Sequence, residues 1–328
     1  MYDKKMAMIY IIDILKEYSD KNHSLTQQEI INKLHDIYLI DVERRTISTT
    51  IDLLVEYGYD IVKIPSGGYY LNERHFDENE IKFLIDAVYS SKSISGSQAK
   101  TISKKLYSML SRYEQKDYSY LYKSTEINRS TNKELFLNIE LINDAIKENK
   151  KISFKYLIYD EEGNIKEKRN GHRYIVSPYF LVNNFNKYYL ICNINFFDNH
   201  AYYRIEYMKD INILDEVAKP YKEVPTLGEK FDISKHINDH IYMFGGDIIH
   251  ATVELISKSA STYVMDWFGH NARIYKDNDK YYASIKSNDK AFYFWALQYQ
   301  EHIKIISPEY IVDKFVKTLE ETIKNYKQ

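Results

Sequence analysis

The spacing of the hydrophobic residues changes along the chain, and each spacing favours one kind of secondary structure. Before residue 150 the apolar residues recur every three or four positions, as at Ile47, Ile51 and Leu54, which is typical of amphipathic helices. From 152 to 158 they alternate, as in a half-buried strand. In the last third, predicted strands and helices follow one another. Because 328 residues are too many for one ordinary core, the sequence predicts an α+β protein of two or three domains.

Residues 1–73 are predicted to form three helices and a hairpin, the arrangement of a winged helix-turn-helix domain. Thr26 and Glu29 have the spacing of a capping box at the start of the second helix. For the third helix, Asp41 is the predicted N-cap and Gly58 the predicted end. The residues expected to face the core from the second helix are Ile30, Leu34 and Ile37.

In a winged helix, the third helix presents its first turn and outer face to the major groove of DNA. Arginine can bind guanine through two hydrogen bonds, and hydroxyl groups suit phosphates or base edges. The predicted DNA contacts are Arg44, Arg45, Thr46, Ser48 and Thr49 on the helix, with Lys63, Ser66, Gly67 and Tyr69 on the hairpin. The alternative is a winged helix that contacts protein alone. The excess of acidic over basic residues in 1–73 favours that alternative.

A helical connector is predicted for residues 77–133, with two amphipathic helices and a polar linker at 124–133. Between Lys92 and Lys133 there are nine basic and three acidic residues. This segment is either a further contact with the phosphate backbone or a solvated connector, which is the more usual role of a charge run.

Two further domains are predicted after the connector. Residues 134–218 contain one helix and about five short strands, which indicates a small β-barrel. Residues 228–328 contain elements in the order βαββαβ, followed by a closing helix that starts with Pro308. That order is ferredoxin-like. The apolar face of the closing helix, with Ile311, Phe315, Leu319 and Ile323, is available for packing against a second copy of the chain.

Several classes of protein are disfavoured by the sequence. No apolar run is long enough for a membrane span, and the N-terminus lacks the pattern of a signal peptide. Cys192 is the only cysteine, which fits a reducing cytoplasm, and it is expected to be a buried small hydrophobe. His236 and His240 have the spacing of a metal pair, but no third ligand is evident, so no metal and no cofactor are expected. No phosphate-binding glycine motif is present, and an enzyme is not predicted.

The segment 174–214 closely resembles the WYL-domain transcriptional regulators of bacteria. The Trp-Tyr-Leu triplet that names the family corresponds to 188–190, with Tyr188 in place of tryptophan. Pro178 matches the family's upstream proline, and the downstream arginine motif matches 203–206. The second arginine of that motif is replaced by Tyr207.

The resemblance implies an Sm-like barrel that binds negatively charged ligands, including single-stranded nucleic acid or a nucleotide, and a C-terminal WYL extension at 228–328. Aromatic faces stack on bases, and arginine attracts phosphate. The candidate ligand-binding residues are Tyr156, Arg173, Tyr188, Tyr189 and Arg204. Because neighbouring strand residues point to opposite faces, one of Tyr188 and Tyr189 is expected in the core. The alternative is that these tyrosines pack the sheet and that Glu206 neutralises Arg204.

The sequence therefore predicts a cytoplasmic, homodimeric transcriptional regulator that binds double-stranded DNA and senses an anionic ligand. The alternative is a nucleic-acid or nucleotide sensor that acts through protein contacts without specific DNA binding.

Overall fold

The computed structural model describes residues 6–65, 67–72, 74–117, 133–194 and 196–327, which belong to two compact units, Met1–Lys133 and Glu134–Gln328. The helices of the first unit are α1 (Ala7–Tyr18), α2 (Gln27–Tyr38), α3 (Arg44–Tyr57), α4 (Glu78–Ser90), α5 (Gly96–Tyr107) and α6 (Glu114–Asp117). Its strands are β1 (Leu25–Thr26), β2 (Ile61–Lys63) and β3 (Gly68–Leu71), which form an antiparallel sheet of order β1-β3-β2.

Local sequence signals set the ends of α2 and α3. The capping box is confirmed: the backbone N–H of Thr26 donates to Glu29 Oε2 at 2.8 Å, and Thr26 Oγ1 accepts from the Glu29 N–H at 3.3 Å. Gly58 ends α3 with a φ of 116°, as predicted. The N-cap of α3 is Glu43, so the prediction of Asp41 was wrong. The Asp41 carboxylate instead pairs with the ring Nδ1 of His35 at 2.9 Å.

Ile47, Ile51 and Leu54 of α3 are buried in the core of this unit, as predicted. Ile37 was predicted to face the core, but its side chain is 44% exposed. Tyr38, the next residue, takes that place because it packs against the core and stacks on Tyr10 with ring centroids 4.1 Å apart.

Polar side chains join α1 to the segments that follow the hairpin. The carboxylate of Asp20, just after α1, accepts a hydrogen bond from Ser111 Oγ at 2.7 Å and from the backbone N–H of His23 at 3.0 Å. The guanidinium of Arg74 donates to the backbone carbonyls of Lys16 at 2.8 Å and Ser19 at 2.7 Å. These bonds fix the connector helices to the core of the first unit.

The second unit begins with α7 (Leu135–Lys147) and the strands β4 (Lys150–Tyr159), β5 (Ile165–Glu167), β6 (Arg173–Asn184), β7 (Lys187–Ile194), β8 (His200–Arg204) and β9 (Met208–Val217). They form an antiparallel sheet of order β5-β4-β6-β7-β8, in which β9 also pairs with β4. The described residues of this region thus contain six strands where about five were predicted. Phe154 and Leu190 are fully buried in this region.

The remaining elements are α8 (Ile233–Asp239), β10 (Ile248–Leu255), α9 (Ala260–Phe268), β11 (Ala272–Asp277), β12 (Lys280–Asn288), α10 (Asp289–Gln298), β13 (Ile303–Ser307) and α11 (Glu309–Tyr326). The sheet order is β11-β12-β10-β13, with antiparallel pairing throughout, and Trp295 lies in its core. Pro308 is the N-cap of α11 and so precedes the helical position predicted for it. On the face of α11 predicted for a second copy, Ile311 is buried and Phe315 packs against the core of the same chain, whereas Ile323 is 53% exposed.

The protein is of the α+β class. Within the described residues, none of the helices is both long enough and apolar enough to cross a bilayer.

The Asp20 contacts predict a pH-dependent stability of the first unit. Burial favours the protonated acid, but hydrogen bonds from Ser111, His23 and the Asn22 backbone outweigh it and lower the pKa of Asp20. A lowered pKa in the folded state stabilises the fold above the unfolded-state pKa, and this contribution disappears as the pH falls through the folded-state value. Replacing Asp20 with Asn should cost about 1–3 kcal/mol at pH 7 because charged acceptors bind more strongly. The difference in the free energy of unfolding between wild type and Asp20→Asn should shrink below pH 4.

Urea denaturation of both proteins at pH 7 and pH 3 measures this difference. The exposed Asp52 supplies the control, because Asp52→Asn should change the free energy of unfolding little at either pH. A difference between wild type and Asp20→Asn that does not depend on pH would contradict the expectation.

Candidate functional site

Arg204 is the last residue of β8, and the 3-10 turn Ile205–Tyr207 leads from it into β9. Its backbone N–H donates to the hydroxyl of Tyr156 on β4 at 3.2 Å. In the pairing of β7 with β8, Arg204 lies directly opposite Tyr189. Two strands and a turn therefore fix the position of this arginine.

The side chain of Arg204 folds back onto Glu206. Its Nε donates to Glu206 Oε1 at 2.9 Å, and its Nη2 donates to the same oxygen. The guanidinium carbon also lies 4.5 Å from the centre of the Tyr207 ring. Burial opposes the charge of Arg204, but the hydrogen bond and the attraction of Glu206 outweigh burial and raise the pKa of the guanidinium. Arg204 is 28% exposed and Glu206 is 2% exposed, so the pair is closed but the guanidinium still reaches solvent.

Aromatic rings surround the Tyr156 hydroxyl. The ring of Tyr156 contacts Tyr203 at 5.1 Å, Tyr207 at 6.1 Å and Tyr174 at 6.4 Å between centroids. Burial is the largest cause that raises the pKa of Tyr156, to about 12. The hydroxyl is therefore protonated at neutral pH, and it accepts the N–H of Arg204 while it retains a proton to donate.

Arg173, predicted to join this group, has other partners. Its Nη2 donates to the backbone carbonyl of Asp210 at 2.6 Å and to Ser153 Oγ at 3.3 Å. Ser153 and Tyr156 lie on opposite faces of β4, because strand residues alternate. Within the described residues, the structure does not bring Arg173 to Arg204.

Tyr188 and Tyr189 are both half-buried. Tyr189 packs against a buried cluster that includes Val182 and Ile191, and burial raises its pKa. Tyr188 pairs with Asn183 in the register of β6 and β7. Of the two tyrosines, Tyr189 is the one that packs on a core cluster and also faces Arg204 across the strands.

The structure brings His200 next to His236 and His240, although the sequence had indicated the latter pair alone. The ligand atoms of these histidines lie within 4.8 Å of one another, and among the described residues they form a group that could hold a metal ion. The expectation that the pair lacks a third partner was therefore wrong. His200 is 36 residues from His236 in the sequence, so neither spacing nor periodicity could reveal it.

The histidines share hydrogen bonds with Tyr202. Its hydroxyl lies 2.7 Å from His200 Nε2 and 2.6 Å from His236 Nε2. Burial, the largest cause, lowers the pKa of His200 to about 4 and that of His236 to about 3. Both imidazoles are therefore neutral at physiological pH.

Cys192 is fully buried, as predicted, and burial raises the pKa of its thiol. It is therefore unsuited to act as a nucleophile.

The predicted DNA-contacting residues of α3 are largely on the surface. Arg44, Arg45, Thr46 and Thr49 are exposed, as is Lys63 at the end of β2.

Two predicted DNA contacts are constrained by neighbouring residues. Ser48 is half-buried and accepts a hydrogen bond from Gln27 Nε2 at 2.7 Å. Tyr69 was predicted to contact the DNA backbone but is 5% exposed, because its position on β3 turns the ring into the core of the unit. Ser66 lies outside the described residues, as do Lys123 and Arg129 of the basic segment between Lys92 and Lys133.

The family model described as "WYL domain" matches residues 138–213, which cover most of α7 and most of the sheet that holds Arg204. The chain contains a WYL domain.

Two solved structures are similar to the chain at low identity. One is proteasome accessory factor B/C (PafBC) of Arthrobacter aurescens, with 13% identity, a TM-score of 0.30, and coverage of 98% of this chain and 49% of that chain. The chain thus spans about half the length of that protein. The other is a CRISPR Cas-related protein, with 16% identity, a TM-score of 0.38, and coverage of 100% and 97%. The curated proteins include no match to this chain.

The hydrogen bond from Arg204 to Tyr156 predicts a stability effect within the WYL domain. Replacing Tyr156 with Phe keeps the ring packing but removes the acceptor of the Arg204 N–H. We expect a loss of about 1 kcal/mol in the free energy of unfolding, measured by urea denaturation. Tyr159→Phe, on the same strand, is the control, because Tyr159 is 56% exposed and its variant should unfold like wild type. Equal losses in the two variants would contradict the assigned role.

Proposed function

We propose that the protein is a DNA-binding transcriptional regulator whose WYL domain senses an anionic ligand, either single-stranded nucleic acid or a nucleotide. The observation that carries the sensing part is the partly exposed guanidinium of Arg204, held between Glu206 and the Tyr207 ring. The proposal includes no catalytic step and no cofactor.

The geometry of the arginine supports an anion site that opens by exchange of partners. Glu206 Oε1 accepts from Nε and Nη2 of Arg204, and the side chain of Arg204 is 28% exposed. A phosphate can therefore approach the guanidinium from solvent and compete with Glu206 for Nη2. Because arginine binds phosphate through two parallel hydrogen bonds, this exchange would give the ligand a fixed orientation.

The aromatic residues support recognition of a base beside that phosphate. Tyr207 stands where the family motif has a second arginine, so this chain has one positive charge fewer and one more ring at the site. The ring contacts the guanidinium at 4.5 Å and is itself half-buried. We therefore include Tyr156, Tyr189 and Tyr207 among the proposed ligand contacts, and we assign Arg173 and Tyr188 at most peripheral roles.

DNA binding is proposed for the first unit. The order α1-β1-α2-α3-β2-β3 fits a winged helix at 1–73, with 77–133 as the connector. Arg44 and Arg45 occupy the first turn of α3, where a recognition helix contacts base edges. The Arg44 guanidinium donates to Gln28 Oε1 at 3.1 Å, which holds it on the surface beside α2.

The second candidate function is a sensor that acts through protein contacts without specific DNA binding. The exposed apolar side chains of α3 favour it, because Leu53 and Tyr57, one helical turn apart, are 46% and 83% exposed. An apolar patch on a recognition helix suits a protein partner better than it suits DNA.

The C-terminal part of the second unit is proposed to be the WYL extension, in a ferredoxin-like arrangement at 228–328. The strand order β11-β12-β10-β13 and the packing of the core around Trp295 support this assignment. Homodimerisation in the cytoplasm belongs to the same proposal, since helix-turn-helix proteins commonly bind two half-sites as dimers. The exposed Val316, Ile323 and Tyr326 of α11 offer a surface for the second copy.

Opposite changes in ligand affinity are expected from the two members of the Arg204 pair. Arg204→Ala removes the positive charge and should weaken binding of a short single-stranded oligonucleotide or a cyclic dinucleotide by about 10- to 100-fold. Glu206→Gln removes the competing carboxylate and should strengthen it several-fold. Fluorescence anisotropy measures the ligand affinity of both variants at two salt concentrations. Binding should weaken as the salt concentration rises.

Arg273→Ala removes an equal charge from the exposed strand β11 and should bind like wild type. Circular dichroism of each variant checks that the fold is retained. Equal affinity of wild type and Arg204→Ala would exclude Arg204 as the anchor.

Loss of specific DNA binding is expected from the double variant Arg44→Ala/Arg45→Ala. Each arginine that contacts a base should contribute about 1–3 kcal/mol. The duplexes to test are fragments that the wild-type protein selects from genomic DNA, and footprinting and salt-dependent titration supply the measurements.

The matched control is Lys222→Ala/Lys230→Ala, which removes the same charge from two exposed positions of the second unit. If the two double variants bind the duplex equally well, the two arginines of α3 make no specific contribution to DNA binding. That result would support the second candidate function. Light scattering of the complex with the selected duplex should give two chains per duplex.

A further inference from the structure

A buried cluster of imidazoles joins the WYL sheet to the segment that follows it. His200 begins β8, whereas His236 and His240 lie on and just after α8. The rings of His236 and His240 stack with centroids 4.1 Å apart, and the His200 ring lies 5.1 Å from that of His236. His236 and His240 are 8% and 5% exposed. The cluster is therefore largely shielded from solvent, so contact with water does not account for the presence of three imidazoles there.

Outer hydrogen bonds orient the rings of two of these histidines. Nδ1 of His240 donates to the backbone carbonyl of His236 at 2.9 Å, which leaves the lone pair of His240 on Nε2. Nδ1 of His200 lies 2.6 Å from Thr226 Oγ1, so Nε2 of His200 points towards Tyr202 and His236. Metal-binding histidines typically have such a partner on the nitrogen that does not bind the metal.

The charged groups beside the cluster are already engaged. Asp239, between the two histidines in sequence, accepts from Lys286 Nζ at 2.5 Å and from Asn271 Nδ2 at 2.9 Å. Asp239 is therefore not among the ligands that we propose.

We propose that His200, His236 and His240 bind a divalent transition-metal ion of the Zn²⁺ class, which clamps α8 and its flanking residues onto β8. Imidazole nitrogens favour Zn²⁺ among the abundant divalent ions, whereas Mg²⁺ and Ca²⁺ require oxygen ligands. Ligands of tetrahedral Zn²⁺ at about 2.05 Å lie about 3.4 Å apart. In this structure the ligand atoms lie within 4.8 Å of one another. Each pair must therefore approach by at most roughly 1.4 Å to bind the ion, which side-chain rotation can provide.

Without the ion, the Tyr202 hydroxyl joins two of the histidines through hydrogen bonds. It lies between His200 Nε2 and His236 Nε2 and has one proton, so it donates to one ring and accepts from the other. An ion bound to both Nε2 atoms replaces these hydrogen bonds. Metal binding therefore exchanges the hydrogen bonds of Tyr202 for coordinate bonds to the same two nitrogen atoms.

The test uses the full chain without an affinity tag, treated with a chelator and then dialysed. Titration with ZnCl₂ in a calorimeter should give one equivalent of tightly bound ion, and an excess of MgCl₂ should give none. Substitution with Co²⁺ should produce visible absorption bands of a four- or five-coordinate nitrogen site. Because ligand binding stabilises the folded state, saturation with Zn²⁺ should raise the midpoint of thermal unfolding by about 5–10 °C.

His200→Gln and His236→Gln should each weaken Zn²⁺ binding by on the order of 100-fold or more and abolish the rise in unfolding temperature. The exposed His270 supplies the matched control, since His270→Gln should bind like wild type. The Co²⁺ spectrum of wild type needs no variant, so a variant that fails to fold leaves the test intact. Absence of stoichiometric binding in wild type, or equal binding in His200→Gln and wild type, would identify the cluster as a hydrogen-bond network alone.

Discussion

The buried carboxylate of Glu206 determines the structure of the turn that follows β8. Glu206 is 2% exposed, and a carboxylate in that position is costly unless a cation and hydrogen bonds compensate it. Arg204 supplies both through Nε and Nη2. The same guanidinium is the proposed anchor for an anion. The arginine thus has a structural and a functional role, and any ligand must replace what Glu206 already provides.

The alternation of side chains along β8 places His200, Tyr202 and Arg204 on one face of the strand. The imidazole cluster and the arginine are therefore about 13 Å apart at the ends of one short strand. Tyr203, on the other face, packs its ring against Phe154 and Tyr156 in the aromatic group. A five-residue strand thus joins a polar cluster, an ion pair and an aromatic core, and its position is fixed from both faces.

The sequence was informative wherever the physical signal was local. Helical and alternating spacing predicted most helices and strands, and Glu206 lies near enough to Arg204 for their pairing to be anticipated. The N-cap of α3 was missed because Asp41 pairs with His35, which the helix signals do not reveal. His200 was missed for a related reason: its partners come from a distant segment. Spacing alone cannot identify contacts that depend on how separate elements pack.

Asp20 and Arg74 make the first unit a single cooperative body. Their hydrogen bonds to Ser111, Lys16 and Ser19 join residues up to 91 positions apart in the chain. A fragment that ended at the hairpin would lose the Arg74 donors to both carbonyls and the Ser111 donor to Asp20, at a cost of about 1 kcal/mol or more for each lost bond. A stable fragment of the first unit would therefore have to contain the connector helices together with the first three helices. The same holds for a domain exchanged between proteins during evolution.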